Sequence, residues 1–393
     1  MKHRIVVLGA GYAGGIAAGR LAKRLHRDDV DITLVNADPE FVERVRMHQL
    51  ASGQGLRSRP LREMFAGTGV QVRTAWVEGL DVDRKTVDLG GENGPETLTY
   101  DTLVYALGST IADYGVPGVA EYAFNVASKQ AALRLRARLS ELSQGATVLV
   151  VGGGLTGIEA ATEIAEARPD LEVSIAARGG VGDWLSEKAQ DHLRGAFDRL
   201  GITVREQVEV TGVEAHGVTT SAGTIPAQMT VWTAGFAVHT IAAATTLDLS
   251  GTGRIMVDAT QRSVSHPDVY AIGDAAHAAG VGGKTLRMGC ATASPMAWLA
   301  ADALAARLTG RKVPDAPIGY NTQCISLGRR DGILQRVTPM DEPTSTVLTG
   351  RAAARMKELI CAGAAWSVRN PTLMVPSRRR HLVSTDAALT VAG

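Results

Sequence analysis

Two short glycine runs carry the most readable chemistry in this sequence. Gly9-Ala10-Gly11-Tyr12-Ala13-Gly14 and Gly152-Gly153-Gly154-Leu155-Thr156-Gly157 both fit G-x-G-x-x-G. In such a turn the first glycine permits a tight strand-to-helix reversal. The second lets the backbone approach a pyrophosphate, and the third lets helix and strand pack closely. The unpaired N–H groups at the helix start then favour the phosphate charge. Two matches imply two dinucleotides, one held permanently and one passing through. Such units usually carry an acid ~20 residues on, which binds the adenosine ribose. Neither does here: Asn36 and Ala37 stand at that point of the first unit, Ala177 and Arg178 at that of the second. Asn36 can still donate and accept hydrogen bonds, without charge-assisted strength. Loss of the carboxylate at 177 removes repulsion of a 2′-phosphate, and Arg178 could pair with one. NADPH is therefore admitted beside NADH; the alternative is a weakened NADH site with a surface arginine.

Other reactive groups are less specific. One apolar run, Val269 to Ile272, ends in Gly273-Asp274, and another, from Leu103, ends in Gly108-Ser109. The segment from Phe41 to Gln49 holds Arg44, Arg46 and His48, which could stabilise an anion or simply form a polar surface. The three cysteines, Cys290, Cys324 and Cys361, form no C-x-x-C pair. They exclude a disulfide scaffold, a four-cysteine zinc site and a thioredoxin-type motif, and no metal centre is expected. Isolated buried cysteines are usually inert.

The elements that must position these groups follow from hydrophobic patterning. Ile5–Leu8, the glycine turn, a helix over 15–26 and a strand over 31–35 make one βαβ unit. The same grammar returns as a strand over 147–151, the second turn, a helix over 158–167 and a strand over 171–176. Between them, 70–77 and 86–89 alternate as strands, followed by a turn at 92–96. An amphipathic helix is expected over 186–200, a strand over 202–204, short antiparallel strands over 208–232, and a long Ala-rich helix over 292–309. Hairpins over 320–349 and a helix over 351–369 complete the chain. The fold class is α/β, with two Rossmann-like domains, the second inserted in the first, and a smaller C-terminal α+β part. The expected boundaries are 1–112 with 255–322, then 113–254, then 323–393.

Composition agrees. The 44 glycines exceed the about 28 that average usage gives, and the dinucleotide turns account for part of the excess. A hydrophobic fraction of 45% supports a packed core and excludes disorder. Net charge +1 and 4% aromatic residues argue against nucleic-acid binding. No secretory h-region follows Met1 and no stretch of 18 uncharged apolar residues is present, so a cytoplasmic location is expected.

The motifs together resemble the two-dinucleotide-binding-domain flavoproteins, the pyridine nucleotide-disulfide oxidoreductase superfamily, over roughly residues 4–330. The resemblance implies FAD at Gly9, Gly11, Tyr12, Ala13 and Gly14, with Asn36, Ala37, Arg44, Gly108, Ser109, Gly273, Asp274 and Ala293 around it. It implies NADH or NADPH at Gly152, Gly154, Thr156, Gly157, Arg178 and Gly235. Asp274 would hold the ribityl chain, and Trp232 to Gly235 would mark the return from the nicotinamide domain. Disulfide reductases are excluded because no cysteine precedes Cys290. The run Gly154-Leu155-Thr156-Gly157-Ile158-Glu159 looks like the G-x-T-G-[VI]-E of type II NADH dehydrogenases and apoptosis-inducing-factor-like oxidoreductases. It nominates Glu159 as catalytic, coupling a proton to the flavin or touching the nicotinamide; a helix-stabilising surface glutamate is the alternative. His48 is a second catalytic candidate, and a covalent flavin link there is conceivable. Type II enzymes usually carry two glutamines beside the flavin; Gly289 to Ser294 has neither, so the acceptor is a quinone or another small molecule. The alternative is a flavoenzyme for a specialised metabolite, with a vestigial nicotinamide site.

From Arg351 on, the chain has seven basic and two acidic residues. Met356, Leu359, Ile360 and Ala364 can share a helix face ending near Trp366, so this basic helix is expected either at the inner face of a membrane or at a docking or homodimer contact.

Overall fold

The structure, a computed structural model, describes residues 1–91 and 94–383. Two residues of the expected turn at 92–96 and the tail from 384 on, including Asp386, lie outside the described residues.

Each βαβ unit seeds a five-stranded parallel sheet. His3–Leu8 is central in the first, whose order is Val269–Ala271, Thr102–Tyr105, His3–Leu8, Val30–Asn36, Val70–Thr74. Thr147–Val151 holds the same place in the second, between Glu172–Ala176 and Met229–Trp232, with Thr203–Arg205 and Ala123–Phe124 outside. From Ile5 to Leu8 and from Val148 to Val151 the two central strands are apolar on both faces and buried, as parallel strands covered by helices must be. The expected α/β architecture is therefore present twice. A two-stranded link, Ser109–Ile111 antiparallel to Phe236–Val238, joins the two sheets where the chain leaves and re-enters the first.

Small residues set the spacing on the outer face of the first sheet. Helix Tyr12–Arg24 packs against helix Cys290–Leu308, and Asp302 binds both Arg20, at 2.7 Å, and Arg24, at 3.0 Å. A Cβ at Gly15 would stand 2.7 Å from Val368 of the C-terminal helix Gly350–Arg369, so that helix reaches the first unit only because Gly15 has no side chain. The hairpin strands Thr322–Ser326, Gly332–Val337 and Pro343–Thr349 form a three-stranded antiparallel sheet beside it.

Two strand expectations are corrected. The run 70–77 is two strands, Val70–Thr74 in the parallel sheet and Trp76–Asp81 in an antiparallel meander; Ala75 donates its N–H to the Asn36 carbonyl and ends the parallel pairing. Residues 208–232 are not all antiparallel, since Met229–Trp232 joins the parallel sheet. Helix Lys129–Glu141 was not anticipated, although Ser128 caps it and Ala131, Ala132, Leu135 and Leu139 are buried at helical spacing.

Candidate functional site

The two glycine turns have the same local geometry. Gly9 and Gly152 adopt φ of +95° and +125°, so each first glycine is required by the backbone. A Cβ at Gly14 would collide with the Gly9 carbonyl oxygen, and one at Gly157 with that of Gly152, which is why helix and strand approach so closely. At Gly11 and Gly154, by contrast, a Cβ would meet no protein atom within 4 Å. Both turns thus leave space outside their second glycine, where a pyrophosphate would approach. Here they differ. The Asn36 Oδ1 accepts the Ala10 N–H at 2.8 Å and its Nδ2 donates to the Asp38 carbonyl at 2.7 Å, so Asn36 braces the first turn. At the second, Ala177 and Arg178 border an open pocket with Gly152, Gly154, Trp184 and Glu209.

A second cleft runs between the sheets. Gly11, Tyr12, Ala13, Gly108, Gly273, Asp274 and Ala293 line its first-unit end, and Thr156, Glu159 and Gly235 line the opposite wall. Arg44 and His48 enter from the short helical segment after the second strand. The Ser109 hydroxyl donates to Asp274 Oδ2 at 2.6 Å, and the Gly289 N–H donates to Oδ1 at 2.9 Å. Arg44 lies 3.5 Å from the Ser109 oxygen, and burial pulls its guanidinium below the ordinary value while Asp274 opposes the pull. Asp274 is thereby fixed at the strand end with a cation beside it, a donor set that fits an anionic, hydroxyl-rich group such as a flavin nucleotide chain. Gly9, Gly14, Asn36, Ala37, Ser109 and Gly157 lie outside the cleft lining.

At the far end three ionisable groups from three elements meet. Glu159, on helix Leu155–Ala167, is 4% exposed, which removes the surface-glutamate alternative. Its Oε1 accepts the Ser326 N–H at 3.0 Å and is in direct contact with the Lys357 ammonium; its Oε2 lies 3.6 Å from His48 Nδ1. Burial pulls Lys357 down to about 8, with Cys361 and Glu358 opposing the pull and Arg46 adding to it. Burial and the Lys357, Arg329 and Arg46 cations hold His48 well below its ordinary value, so it is a neutral imidazole at pH 7. Its Nε2 is buried without a partner among the described residues. Arg46, also nominated from the sequence, points away: it pairs with Glu43 at 3.0 Å and with Glu358 at 2.7 Å.

Lys357 escaped sequence reasoning, because in a tail rich in arginine it reads as one more surface cation. Its signal was positional, as the helix pattern buries Ala353, Lys357, Cys361 and Ala365 on one face. The three cysteines, far apart in sequence, all line the cleft. Burial pushes Cys290 up to about 11 and Cys324 up to about 12, so both are neutral thiols at pH 7. Gln323 lines the same cleft, with Nε2 donating to Asp341 at 2.9 Å and Oε1 without a partner among the described residues. A glutamine is therefore present, on a different element from the one the resemblance pointed to.

Comparison with known proteins agrees with this architecture. The sequence profile of the pyridine nucleotide-disulphide oxidoreductases matches residues 3–303, and the chain belongs to that family. It is a flavin-using NAD(P)H oxidoreductase, similar to the type II NADH dehydrogenases. It is 33% identical over 303 residues to a NADH dehydrogenase-like protein of Mycobacterium tuberculosis, covering 70% of this chain and 73% of that protein. It is 26% identical over 352 residues to a demethylphylloquinone reductase of Synechocystis, covering 85% and 86%. The fold is shared with NDH2 of Plasmodium falciparum, solved in complex with NADH, at a TM-score of 0.78 and 16% identity, covering 96% and 99%.

Proposed function

We propose that this chain is an FAD-dependent enzyme that takes hydride from NADPH or NADH and passes the electrons to a quinone or a similar small two-electron acceptor. The observation that carries this is the convergence of Glu159, Lys357 and His48 in a cleft whose other end is lined by the first dinucleotide turn. FAD, when bound, supplies the carrier that accepts hydride and releases its electrons to the acceptor. The residues of the chain do the rest. Gly11 and the helix start hold the pyrophosphate, Asp274 orients the ribityl hydroxyls, and Arg44 stabilises negative charge nearby. Glu159 and Lys357 hold a proton between them where the acceptor is reduced, and the neutral His48 Nε2 faces that end as a donor or acceptor. In the same assignment 1–112 with 255–322 hold FAD, 113–254 receive the nicotinamide nucleotide, and 323–393 form the C-terminal interface and membrane-association region.

The pocket at Ala177 and Arg178 is open, which favours a working nucleotide site over a vestigial one and admits a 2′-phosphate. The deciding experiment is anaerobic titration with NADH and NADPH, followed by an acceptor screen. Bleaching of the flavin band by either nucleotide and reoxidation by quinones are expected; no bleaching at millimolar concentration refutes the mechanism.

The C-terminal helix supports contact with the inner face of a membrane. Met356, Leu359, Ile360 and Trp366 recur at helical spacing and are exposed, and Arg351, Arg355 and Arg369 flank them. Among the described residues no helix is long and apolar enough to cross a membrane. Liposome flotation tests this: Leu359→Glu and Trp366→Glu together should release the protein from anionic vesicles, and unchanged partitioning rejects the contact.

A further inference from the structure

Helix Leu155–Ala167 carries more carboxylates than nucleotide binding requires. Glu159 lines the cleft. One turn on, Glu163 is 1% exposed, and one turn further Glu166 reaches solvent. Burying a carboxylate is costly, and its oxygens are normally all satisfied. Glu163 is only half satisfied: Oε2 accepts the Gln54 amide at 2.7 Å, while Oε1 is buried with no partner among the described residues. The charged groups that act on it are Arg329, from the turn after Thr322–Ser326, and Glu166 on its own helix. The side chains of helix Glu187–Leu200 that share the core with this helix include the apolar Leu193 and Phe197. Glu166 Oε2 in turn accepts the Arg329 N–H at 2.6 Å at the surface.

We propose that Glu166, Glu163 and Glu159 form a proton path along this helix, from solvent to the acceptor end of the cleft. The path rests on the proposed reduction of a two-electron acceptor there. Hydride delivers two electrons and one proton, whereas a quinone needs two electrons and two protons to become a hydroquinone. The second proton comes from water: it enters at Glu166, moves to Glu163 as the proton already there moves to Glu159, and reaches the acceptor oxygen beside Lys357 and His48. Side chains three or four residues apart on a helix have Cβ atoms about 5–6 Å apart, a gap that one water or a χ rotation spans. The unpartnered Oε1 is the atom free to give and take the proton. Burial pushes Glu163 up to about 7, so both protonation states are populated near neutrality.

The test uses full-length, flavin-loaded protein, with Glu163→Gln, Glu166→Gln and Glu163→Asp. Without any nucleotide, the infrared spectrum of the wild type should contain a protonated-carboxyl band that titrates near neutral pH and is missing in Glu163→Gln. In stopped flow, NAD(P)H should reduce the flavin of Glu163→Gln within twofold of the wild-type rate. Reoxidation by menadione should be at least tenfold slower, with a larger solvent deuterium effect. Glu166→Gln should slow reoxidation two- to fivefold, and Glu163→Asp should recover most of the rate. Absence of the titrating band overturns the path. So does a Glu163→Gln reoxidation rate within twofold of wild type, or equal slowing of both half-reactions. Failure of both nucleotides to reduce the wild type would instead overturn the proposed function, and the path with it.

Discussion

The two βαβ units share one backbone solution and differ in what surrounds it. Both place a first glycine at positive φ, a third glycine against the carbonyl of the first, and open space beyond the second. The first unit is then closed down. Asn36 pins its turn, and helix Tyr12–Arg24 is buried along most of its length under the Ala-rich helix and the C-terminal helix. The second is left open at its turn, where Ala177 offers no polar group to pin it and Arg178 is exposed at a pocket. Its helix Leu155–Ala167 is also largely buried, and it carries three glutamates where the first helix has none. A dinucleotide held for the life of the protein needs the first environment, and one that must leave on every turnover needs the second. On the proposed function, the matching turns receive the two pyrophosphates, and their neighbours set residence time and proton chemistry.

The sharpest way to break the equivalence is at the glycines. Gly14→Ala should destabilise the protein by about 3 kcal/mol or more, because its Cβ has no space against the Gly9 carbonyl. Gly11→Ala should fold, since its Cβ meets no protein atom within 4 Å, yet lose most of its flavin. Gly154→Ala should keep its flavin and raise the KM for the nicotinamide nucleotide at least tenfold. Thermal melts, flavin absorbance per protein and initial rates separate the three outcomes. If Gly154→Ala loses flavin and Gly11→Ala does not, the two units have been assigned the wrong way round.

Next is the pair that joins the second unit to the C-terminal helix. Lys357→Met leaves the Glu159 carboxylate buried and unpaired, which costs about 3–5 kcal/mol. Glu159→Gln combined with Lys357→Met should recover much of that stability while leaving acceptor reduction impaired. Chemical denaturation and quinone reductase assays distinguish the two effects. Recovery of activity together with stability would make the pair structural.

Glu163 gives a pH signature that the first unit lacks. Its folded-state value of about 7 lies above the ordinary 4.5, so between those values the native protein holds a proton that the unfolded chain has lost. Stability should therefore fall as pH rises from about 4.5 to 7, by about 3 kcal/mol, and level off above. Below about 4.5 the group contributes no slope. Urea unfolding across this range should show the decline in wild type and not in Glu163→Gln.

These contrasts also mark what the sequence made legible. The glycine turns could be located because local geometry constrains residue type there, whereas Ser109, Asp274 and Glu159 were nominated through the family resemblance of their motifs. Lys357 could not, because its burial depends on how the C-terminal helix docks across Gly15, a contact between distant segments. The convergence of Cys290, Cys324 and Cys361 was hidden for the same reason. The 70–77 run was misread because alternation identifies strands without saying which sheet receives them.

The smallest expected effect tests the open end of the second unit. Arg178 is exposed, so water screens any bond it makes to a 2′-phosphate, and a charged hydrogen bond at such a site contributes at the low end of its range. Arg178→Ala should lower kcat/KM for NADPH about tenfold and leave NADH within twofold. The NADPH loss should shrink as ionic strength rises, because the wild-type contact is screened too. Equal losses with both nucleotides would mean that Arg178 shapes the pocket without reading the phosphate. No change with either would leave Ala177, through its missing carboxylate, as the residue that admits NADPH, and Ala177→Asp should then suppress NADPH use while sparing NADH.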